Sequence, residues 1–357
     1  MGVNSSQGAY CINGRFLTRD ITGVDRYARE IVSALDCLME GGEACILIPE
    51  YANVIDCPRY KNIELIRYGT RNGHAWEQFD LYQYAKRRKL VTINLCNTAP
   101  ILDPGVVCIH DMNIRANPKF YNWKFRMAYR WYFQLFARRA RLILTVSDFS
   151  KNEIEKYYPS ARGKIHVVPN AWQHIERTKP DYSIFSRSDL EPGSYYFAMS
   201  SLAPNKNLKW IVETACLNPS DTFAVAGGIN LKVFGEHDIP KAENVKYLGY
   251  VTDGEAKALM ASCKCFLYPT FYEGFGIPPM EALACGARSV MVSDTEVMHE
   301  VYGVDVQYIN PRLPQLMDCM RCEHVFDNRP RVLDRYSWKK SAGMLRSILQ
   351  SKIELGG

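Results

Sequence analysis

The sequence lacks the features that mark several classes of protein. It contains no apolar run of about 18 residues or more, so we expect no membrane-spanning helix. It does not open with a basic segment followed by an apolar one, so we expect no secretory signal and a cytoplasmic protein. The glycine fingerprint of dinucleotide-binding domains and the Walker A motif are both missing, which argues against a dehydrogenase and a P-loop NTPase.

Patterns of metal ligands are also scarce. The 12 cysteines are scattered through predicted strands and helices, and without an export signal we expect them to stay reduced. Cys319 and Cys322, followed by His324, form the one ligand-like cluster, but no second cysteine pair completes a zinc site. We therefore expect no bound metal and no cofactor.

The length and composition indicate a globular protein with more than one domain. The 357 residues exceed the usual size of a single core, and 47% hydrophobic with 23% charged residues is ordinary for folded proteins. The net charge of +6 is compatible with nucleic acid, anionic lipid or a phosphorylated substrate and does not choose among them.

Short apolar segments alternate with amphipathic ones along most of the chain. The first amphipathic segment repeats apolar residues with the helical period from Val24 to Leu38, which predicts a helix, and a further helix is predicted at Asp253–Ser262. Strands are predicted at Ala9–Ile12, Ala44–Ile48, Ile63–Ile66, Val91–Ile93, Val106–Ile109, Leu142–Val146, Ile165–Val168, Tyr195–Met199, Thr222–Ala226, Val245–Leu248, Lys264–Tyr268 and Val306–Tyr308. Strands alternating with helices predict an α/β protein with mostly parallel sheets.

The alternation fails in the polar segment 173–192. We interpret this segment as a linker between an N-terminal domain, residues 1–172, and a C-terminal domain, residues 193–334. Residues 335–357 follow as a final segment that contains one more predicted helix.

The stretch from Tyr268 to Val292 combines a strand, a glycine loop, a helix and a second strand. Gly274 and Gly276 allow the backbone to turn sharply and to approach a ligand closely. Pro279 suits the first position of the helix, and Gly286 suits its end.

Two carboxylates, Glu273 and Glu281, bracket the N-terminus of this helix, and Glu281 is expected in its first turn. A helix N-terminus can hold a phosphate, and carboxylates accept hydrogen bonds from sugar hydroxyls. The segment therefore favours a ligand that carries both groups. The alternative is a plain strand–helix crossover with two solvated acids.

Three other positions lie next to predicted strand ends or helix starts, where ligands bind in α/β sheets. Lys206, preceded by Asn205, follows a strand and opens a helix, which would place its ammonium near a diphosphate. His110 follows the strand Val106–Ile109, and Gly23 ends a loop before the first helix. Standing alone, Lys206 would more often be a solvated residue and His110 a structural one, and Gly23 would be an ordinary helix-start residue as often as a functional one.

Taken together and in chain order, these segments resemble the motifs of retaining GT-B glycosyltransferases of family 4, once called group 1. The segment from Glu273 to Glu281 resembles the E-x7-E signature of that family. The turn Pro204–Asn207 resembles its Arg-Lys-Asn turn, with Asn205 in place of the usual arginine. The resemblance covers nearly the whole chain. It implies two doubly wound, Rossmann-like domains that face a cleft, with the helix of residues 335–357 crossing back to the first domain.

The resemblance also implies a role for each matched residue. Glu273 would contact the donor sugar, Glu281 the ribose, and Lys206 with the loop amides the diphosphate. His110 would lie against the sugar, and Gly23 near the phosphate. The implied catalytic residues are His110, Glu273 and Lys206, and the implied donor-binding residues are Gly23, Asn205, Lys206, Tyr250, Glu273, Gly274, Phe275, Gly276, Ile277 and Glu281.

The implied activity is retaining transfer of a hexose-type sugar from a nucleotide diphosphate donor to a glycan acceptor. Relatives with similar segments build surface polysaccharides, so the acceptor is expected to be lipid-linked. No Asp-x-Asp metal motif occurs, which is consistent with metal-independent transfer. Two alternatives remain: a nucleotide-sugar epimerase of the same fold, and a non-catalytic sugar-nucleotide-binding subunit of a polysaccharide assembly.

Two segments of the first domain bear on the acceptor. Lys119–Arg141 interleaves basic and aromatic residues, as in a helix on an anionic membrane or in a core helix with a wet basic side. The cluster Lys86–Lys89 adds positive charge, so we expect peripheral contact with the inner face of the cell membrane and no nucleic acid partner. Gly73–Gln78, polar and aromatic, is predicted to be a loop that could contact the acceptor.

Overall fold

The chain divides into two compact units, each with its own sheet. The computed structural model describes residues 9–200, 203–227, 242–314 and 330–354. The first unit comprises residues 1–170 and 338–357, and the second unit comprises residues 171–337. The possible zinc cluster of Cys319, Cys322 and His324 lies outside the described residues.

In the first unit, seven described strands pair in parallel in the order β3-β2-β1-β4-β5-β6-β7. Their bounds are β1 Tyr10–Asn13, β2 Ala44–Ile48, β3 Glu64–Arg67, β4 Val91–Asn94, β5 Val106–Cys108, β6 Leu142–Thr145 and β7 Ile165–Val167. The chain moves outward from β1 to β3 and then returns to the other side of β1. The carboxyl ends of β1 and β4 therefore flank a topological switch point, the place where parallel sheets usually bind ligands.

In the second unit, six described strands pair in parallel in the order β10-β9-β8-β11-β12-β13. Their bounds are β8 Tyr195–Met199, β9 Thr222–Ala226, β10 Val245–Gly249, β11 Cys265–Tyr268, β12 Val290–Ser293 and β13 Gln307–Ile309. The direction of winding reverses between β8 and β11, so the switch point of this sheet lies at their carboxyl ends.

Helices join the strands of both sheets. Their bounds are α1 Gly23–Asp36, α2 Gly73–Trp76, α3 Tyr82–Arg88, α4 Asn113–Ala116, α5 Trp123–Arg139, α6 Asp148–Tyr157, α7 His174–Arg177, α8 Ser183–Ser188, α9 Leu208–Leu217, α10 Asp253–Ser262, α11 Ile277–Ala284, α12 Glu296–Tyr302, α13 Arg331–Arg335 and α14 Trp338–Leu349. The alternation of strands with helices confirms the predicted α/β class. Among the described helices, none combines the length and the apolar character that crossing a membrane requires.

The core of each unit follows from strands that are covered on both faces. All five residues of β2 are buried, as expected for a parallel strand with helices above and below. The face of α1 that carries Tyr27, Ile31 and Leu35 is fully buried. Helix α14 packs against α1, with Trp338 edge-on to Tyr27 at 6.1 Å between ring centroids. The last helix therefore completes the first unit.

Residues 173–192, where the apolar periodicity fails, form the short helices α7 and α8 within the second unit. Lys257 Nζ donates to the carbonyls of Ile175 and Thr178, each at 2.9 Å, and so closes the end of α7. Helices of four and six residues are too short to show a 3.6-residue period.

The segment Gly73–Gln78, predicted to be a loop, is helical. Helix α2 runs directly into a π-helical turn, Glu77–Leu81, which continues into α3. The prediction of a loop was wrong because the charged residue Glu77 is buried, and this interrupts the amphipathic pattern that marks a helix in a sequence.

Candidate active site

The predicted residues of the second unit meet at its switch point. The segment after β8 contains a 3-10 turn, Pro204–Lys206, and α9 begins only after Asn207. The segment after β11 is the glycine loop. The amide of Phe271 donates to the carbonyl of Asn205 at 2.8 Å, which joins the two segments.

Lys206 and Glu273 form an ion pair across these two segments. Lys206 Nζ lies 2.8 Å from Glu273 Oε1 and 3.2 Å from the Tyr268 hydroxyl. The side chains are 25% and 14% exposed, so the pair is accessible but not freely solvated. A lysine ammonium can bind an anion, and a carboxylate next to it can accept hydrogen bonds from hydroxyl groups. The pair therefore suits a ligand that carries both kinds of group.

Asn207 holds the turn of Lys206 in place. It adopts a left-handed conformation, with φ +55°, and is buried. Its Nδ2 donates to the carbonyls of Pro269, at 2.8 Å, and Pro311, at 2.7 Å. Asn207 therefore has a structural role in holding the turn of Lys206 against the glycine loop.

Gly276 ends the glycine loop in a conformation that other residues rarely adopt. Its φ is +86°, and a Cβ there would lie 2.7 Å from Met298 Cε. The Tyr302 hydroxyl donates to its carbonyl. Phe275 is buried edge-on to Tyr336, 5.2 Å between centroids, so only its backbone could meet a ligand.

Helix α11 begins two residues earlier than expected, at Ile277. Pro278 and Pro279 are its second and third residues, and Glu281 is its fifth, beyond the first turn. The expectations for Pro279 and Glu281 were wrong because the first four amides of a helix have no acceptor within it, so proline is tolerated at each of these positions. Gly286, with φ +83°, follows the helix end as predicted.

Glu281 is held by a residue that sequence reasoning missed. His174 Nε2 lies 2.6 Å from Glu281 Oε1, and the His174 ring is buried. His174 belongs to α7, in the segment interpreted as a linker. No motif in the sequence connects these two residues, which are 107 positions apart.

Tyr250 lies apart from the Lys206–Glu273 pair. It follows β10, which is separated from β11 by β9 and β8, about 14 Å across the sheet. Its side chain is 80% exposed. The preceding Gly249 has φ +68° and accepts a hydrogen bond from the amide of Gly227 at 2.8 Å.

His110, in the first unit, is buried and neutral. Burial lowers the pKa of its imidazole to about 4. Nε2 lies 2.8 Å from the carbonyl of Leu95. A carbonyl only accepts, so Nε2 carries the proton and Nδ1 is left as an acceptor. The Tyr27 ring meets the imidazole edge-on at 4.9 Å between centroids, which fixes its orientation.

Gly23 is the first residue of α1 in the same unit, and among the described residues no atom beyond its chain neighbours and its own helix backbone lies within 4 Å of where its Cβ would be. Thr22 and Asp25 form a capping box around it. The backbone at Gly23 is therefore open to a ligand. Among the described residues, no group of three or more His, Cys, Asp or Glu side chains is placed to hold a metal ion.

Comparisons with known proteins match both halves of the chain. Residues 21–172 match the family model described as Glycosyltransferase Family 4, and residues 185–307 match that of Glycosyl transferases group 1. The O-antigen chain mannosyltransferase B of Escherichia coli is 31% identical over 314 residues, 79% of this chain and 81% of that protein. The O-antigen chain mannosyltransferase RfbU of Salmonella typhimurium is 26% identical over 321 residues, 86% of this chain and 84% of that protein.

Solved structures share the fold at low sequence identity. The Anabaena protein Alr3699/HepE, crystallised with UDP and glucose, superposes with a TM-score of 0.68 at 16% identity, covering 96% of this chain and 99% of that one. This likeness confirms the predicted GT-B fold of two Rossmann-like domains. By its family models and its similarity to the O-antigen enzyme of Escherichia coli, the chain is a transferase of polysaccharide synthesis and belongs to the group 1 glycosyltransferases.

Proposed function

We propose that the protein transfers a mannosyl residue from a nucleotide diphosphate donor to a glycan acceptor, with retention and without a metal ion. The observation that carries the proposal is the Lys206–Glu273 pair at the switch point of the second unit. The choice of mannose rests on the two O-antigen relatives, both named as mannosyltransferases.

Lys206 would stabilise the leaving diphosphate. Negative charge develops there as the bond to the sugar breaks, and an ammonium already fixed in place lowers the energy of that state. Two of the first four residues of α11 are prolines and offer no amide hydrogen. Lys206 and the amides of Glu273–Ile277 would therefore carry most of this task.

Glu273 and Glu281 would bind different parts of the donor. The Glu273 carboxylate, beside the Lys206 ammonium, would accept hydrogen bonds from the sugar hydroxyls next to the diphosphate. Glu281, further along α11 and oriented by His174, would accept both ribose hydroxyls. Tyr250, at the end of β10, would lie near the base.

His110 would position the sugar as a neutral group. Its Nε2 proton is engaged with Leu95, so Nδ1 is the atom that could accept a sugar hydroxyl. Gly23, in the same unit, would bring the first amides of α1 to the phosphate. No residue is assigned as a covalent nucleophile, which is why we propose direct front-side transfer.

The test begins with thermal stabilisation by a panel that contains GDP-mannose, UDP-glucose and the free nucleotides. A ligand at 100 times its Kd should add about 2.7 kcal/mol. Nucleotide release and the anomeric configuration of the product by NMR then follow, with and without EDTA. Binding without nucleotide release would indicate a non-catalytic subunit, and a changed donor sugar without transfer would indicate an epimerase.

The acceptor is proposed to be lipid-linked, because the first half of α5 suits an anionic membrane surface. Trp123 and Trp131 are 65% and 55% exposed, and Phe125 and Met127 are also exposed. Phe133 and Phe136, further along, are buried. The large apolar side chains of α5 are thus exposed towards its start and buried in the core towards its end.

The charge around α5 supports the same proposal. The sequence between Asp111 and Asp148 contains no acidic residue. Its eight basic residues are Arg115, Lys119, Lys124, Arg126, Arg130, Arg138, Arg139 and Arg141. Aromatic side chains and basic residues together favour the interface of an anionic bilayer.

The cluster Lys86–Lys89 does not continue this surface. It ends α3 just before β4 and lies at the amino ends of the strands, whereas the start of α5 lies at their carboxyl ends. Arg87, Arg88 and Lys89 line a cavity of about 440 Å³ there. We therefore assign the membrane contact to α5 alone.

A further inference from the structure

The first unit contains a buried carboxylate that the proposed donor site does not use. The side chain of Glu77 is 1% exposed. Its Oε2 accepts hydrogen bonds from Thr98 Oγ1 at 2.8 Å, Asn13 Nδ2 at 2.9 Å and Arg15 NH1 at 3.0 Å. His74 Nδ1 lies 3.6 Å from Oε1. So many donors around one carboxylate indicate a group that stays ionised inside the protein.

The electrostatics of Glu77 agree with this geometry. Burial acts to raise the pKa of its carboxyl group, but the hydrogen bonds from its neighbours and the charge of Arg15 outweigh burial and leave the pKa below its usual value. Glu77 is therefore an anion fixed beneath Arg15, whose side chain is 15% exposed, and His74, whose side chain is 58% exposed.

The cluster occupies the switch point of the first sheet. Asn13 is the last residue of β1, Asn94 is the last residue of β4, and the two side chains share a hydrogen bond of 3.1 Å. Leu95, which holds the His110 ring, follows Asn94 directly. The corresponding place in the second sheet holds the Lys206–Glu273 pair, so both units carry charged residues where such sheets bind ligands.

The backbone around the cluster is shaped to hold it. Glu77 opens a π-helical turn, a form that is uncommon and recurs at functional sites. Between Asn13 and Arg15, Gly14 passes so close to β2 that a Cβ would lie 2.6 Å from Ile46 Cγ2. The chain therefore requires glycine there, and this fixes the start of the Arg15 side chain.

The outward face of the cluster presents polar nitrogens of Arg15 and His74. Arg15 NH1 lies 3.3 Å from His74 Nδ1, so the two side chains adjoin above Glu77. The other ring nitrogen of His74, Nε2, belongs to a side chain that is more than half exposed. Arg15 and Glu77 cancel in charge, so the cluster suits neutral hydroxyl groups better than a diphosphate.

We propose that Arg15 and His74 form the acceptor subsite and bind hydroxyl groups of the acceptor glycan, with Glu77 as the residue that positions both. This proposal rests on the proposed glycosyl transfer and adds to it the part of the first unit that meets the second substrate. Glu77 is too deeply buried to contact the acceptor itself.

The experiment compares acceptor and donor affinity in the full-length protein. The probes are octyl glycosides of mannose, galactose and N-acetylglucosamine, followed by saturation-transfer NMR and by the half-saturating concentration in nucleotide release from GDP-mannose. The variants are His74→Ala and Arg15→Gln. The matched control is Arg71→Gln, an exposed arginine that pairs with Asp80 on the same helical segment and not with Glu77.

We expect His74→Ala and Arg15→Gln each to raise the half-saturating glycoside concentration about tenfold or more, the usual effect of losing a hydrogen bond to a charged or well-placed donor. The Kd of GDP-mannose by calorimetry should stay within about twofold, and Arg71→Gln should change neither value. His74→Ala is the decisive variant, because an exposed side chain can be removed without unfolding the protein.

Three results would overturn the subsite while leaving glycosyl transfer intact. In the first, both variants bind the glycosides as tightly as the wild type does. In the second, the variants lose affinity for GDP-mannose and keep their affinity for the glycosides. In the third, the wild type binds GDP-mannose but none of the glycosides. Failure of every nucleotide sugar to bind the wild type would refute the proposed function itself. The Glu77→Gln variant adds a second readout: it should raise the glycoside concentration needed without abolishing donor binding.

Discussion

Lys264, at the opposite end of the same sheet, has a local environment similar to that of Lys206, so the two lysines can be compared as a test residue and its matched control. Lys206 lies 2.8 Å from Glu273 and 5.3 Å from the centroid of the Tyr268 ring. Lys264 lies 2.8 Å from Asp221 and 5.0 Å from the centroid of the Tyr196 ring. Lys206 is at the carboxyl ends of the strands, whereas Lys264 precedes β11 at the amino ends.

Replacing Lys206 by alanine should weaken GDP or UDP binding far more than binding of the matching nucleoside. A charge-assisted hydrogen bond contributes roughly 1.5–3 kcal/mol. Lys206 is 25% exposed, between solvent and interior, so we expect a loss near 2 kcal/mol, or about thirtyfold in Kd. Isothermal titration calorimetry with the nucleotide and its nucleoside measures both affinities.

Lys264→Ala removes the same kind of ion pair and ring contact from the same domain. It should lower stability by an amount similar to that of Lys206→Ala and leave nucleotide affinity unchanged. Equal losses for nucleotide and nucleoside in Lys206→Ala, or an equal loss of nucleotide affinity in Lys264→Ala, would refute the assignment of Lys206 to the diphosphate.

Three further predictions address the remaining groups. Glu273→Gln should depress turnover with little change in nucleotide Kd, whereas Glu281→Gln should mainly weaken the nucleotide; identical kinetic effects would refute this division. The pKa of His110 is about 4 in the folded protein and 6.5 in the unfolded chain, so the unfolded chain binds more protons between these two pH values. The free energy of unfolding should therefore be highest above pH 6.5 and fall by roughly 3 kcal/mol as the pH is lowered to 4. Urea unfolding across this range should show a shallower pH dependence in His110→Asn, and an unchanged one would contradict the buried neutral ring. Trp123→Ser combined with Trp131→Ser should reduce co-sedimentation with anionic vesicles at low salt, and unchanged binding would remove α5 from the membrane contact.

Elements that carry their own signals could be predicted from the sequence. Strand β2 was predicted with its observed bounds because five consecutive apolar residues fill a strand covered on both faces. Helix α10 was also predicted with its observed bounds, and the structure shows a capping box of Thr252 and Glu255 at its start. In both cases the physical cause lies within a few residues of the element itself.

The parts that escaped prediction depend on contacts between distant segments. The start of α11 could not be located, because proline is acceptable at several early helical positions and only the packing of the loop selects one. Glu77 could not be recognised as buried, because its partners Asn13 and Thr98 lie 64 and 21 positions away. The partner of Glu281 was missed for the same reason: His174 lies in a segment with no periodic pattern of its own.

The two prolines at the start of α11 have a consequence for how the donor responds to ionic strength. Backbone amides recognise a phosphate through fixed dipoles at short range, and with two of the first four amide hydrogens of α11 missing, more of the affinity depends on the Lys206 ammonium. A point charge that is partly open to water is screened by salt, with a Debye length of about 8 Å at physiological ionic strength. Donor affinity should therefore fall more steeply with added salt than in a site built from helix amides alone.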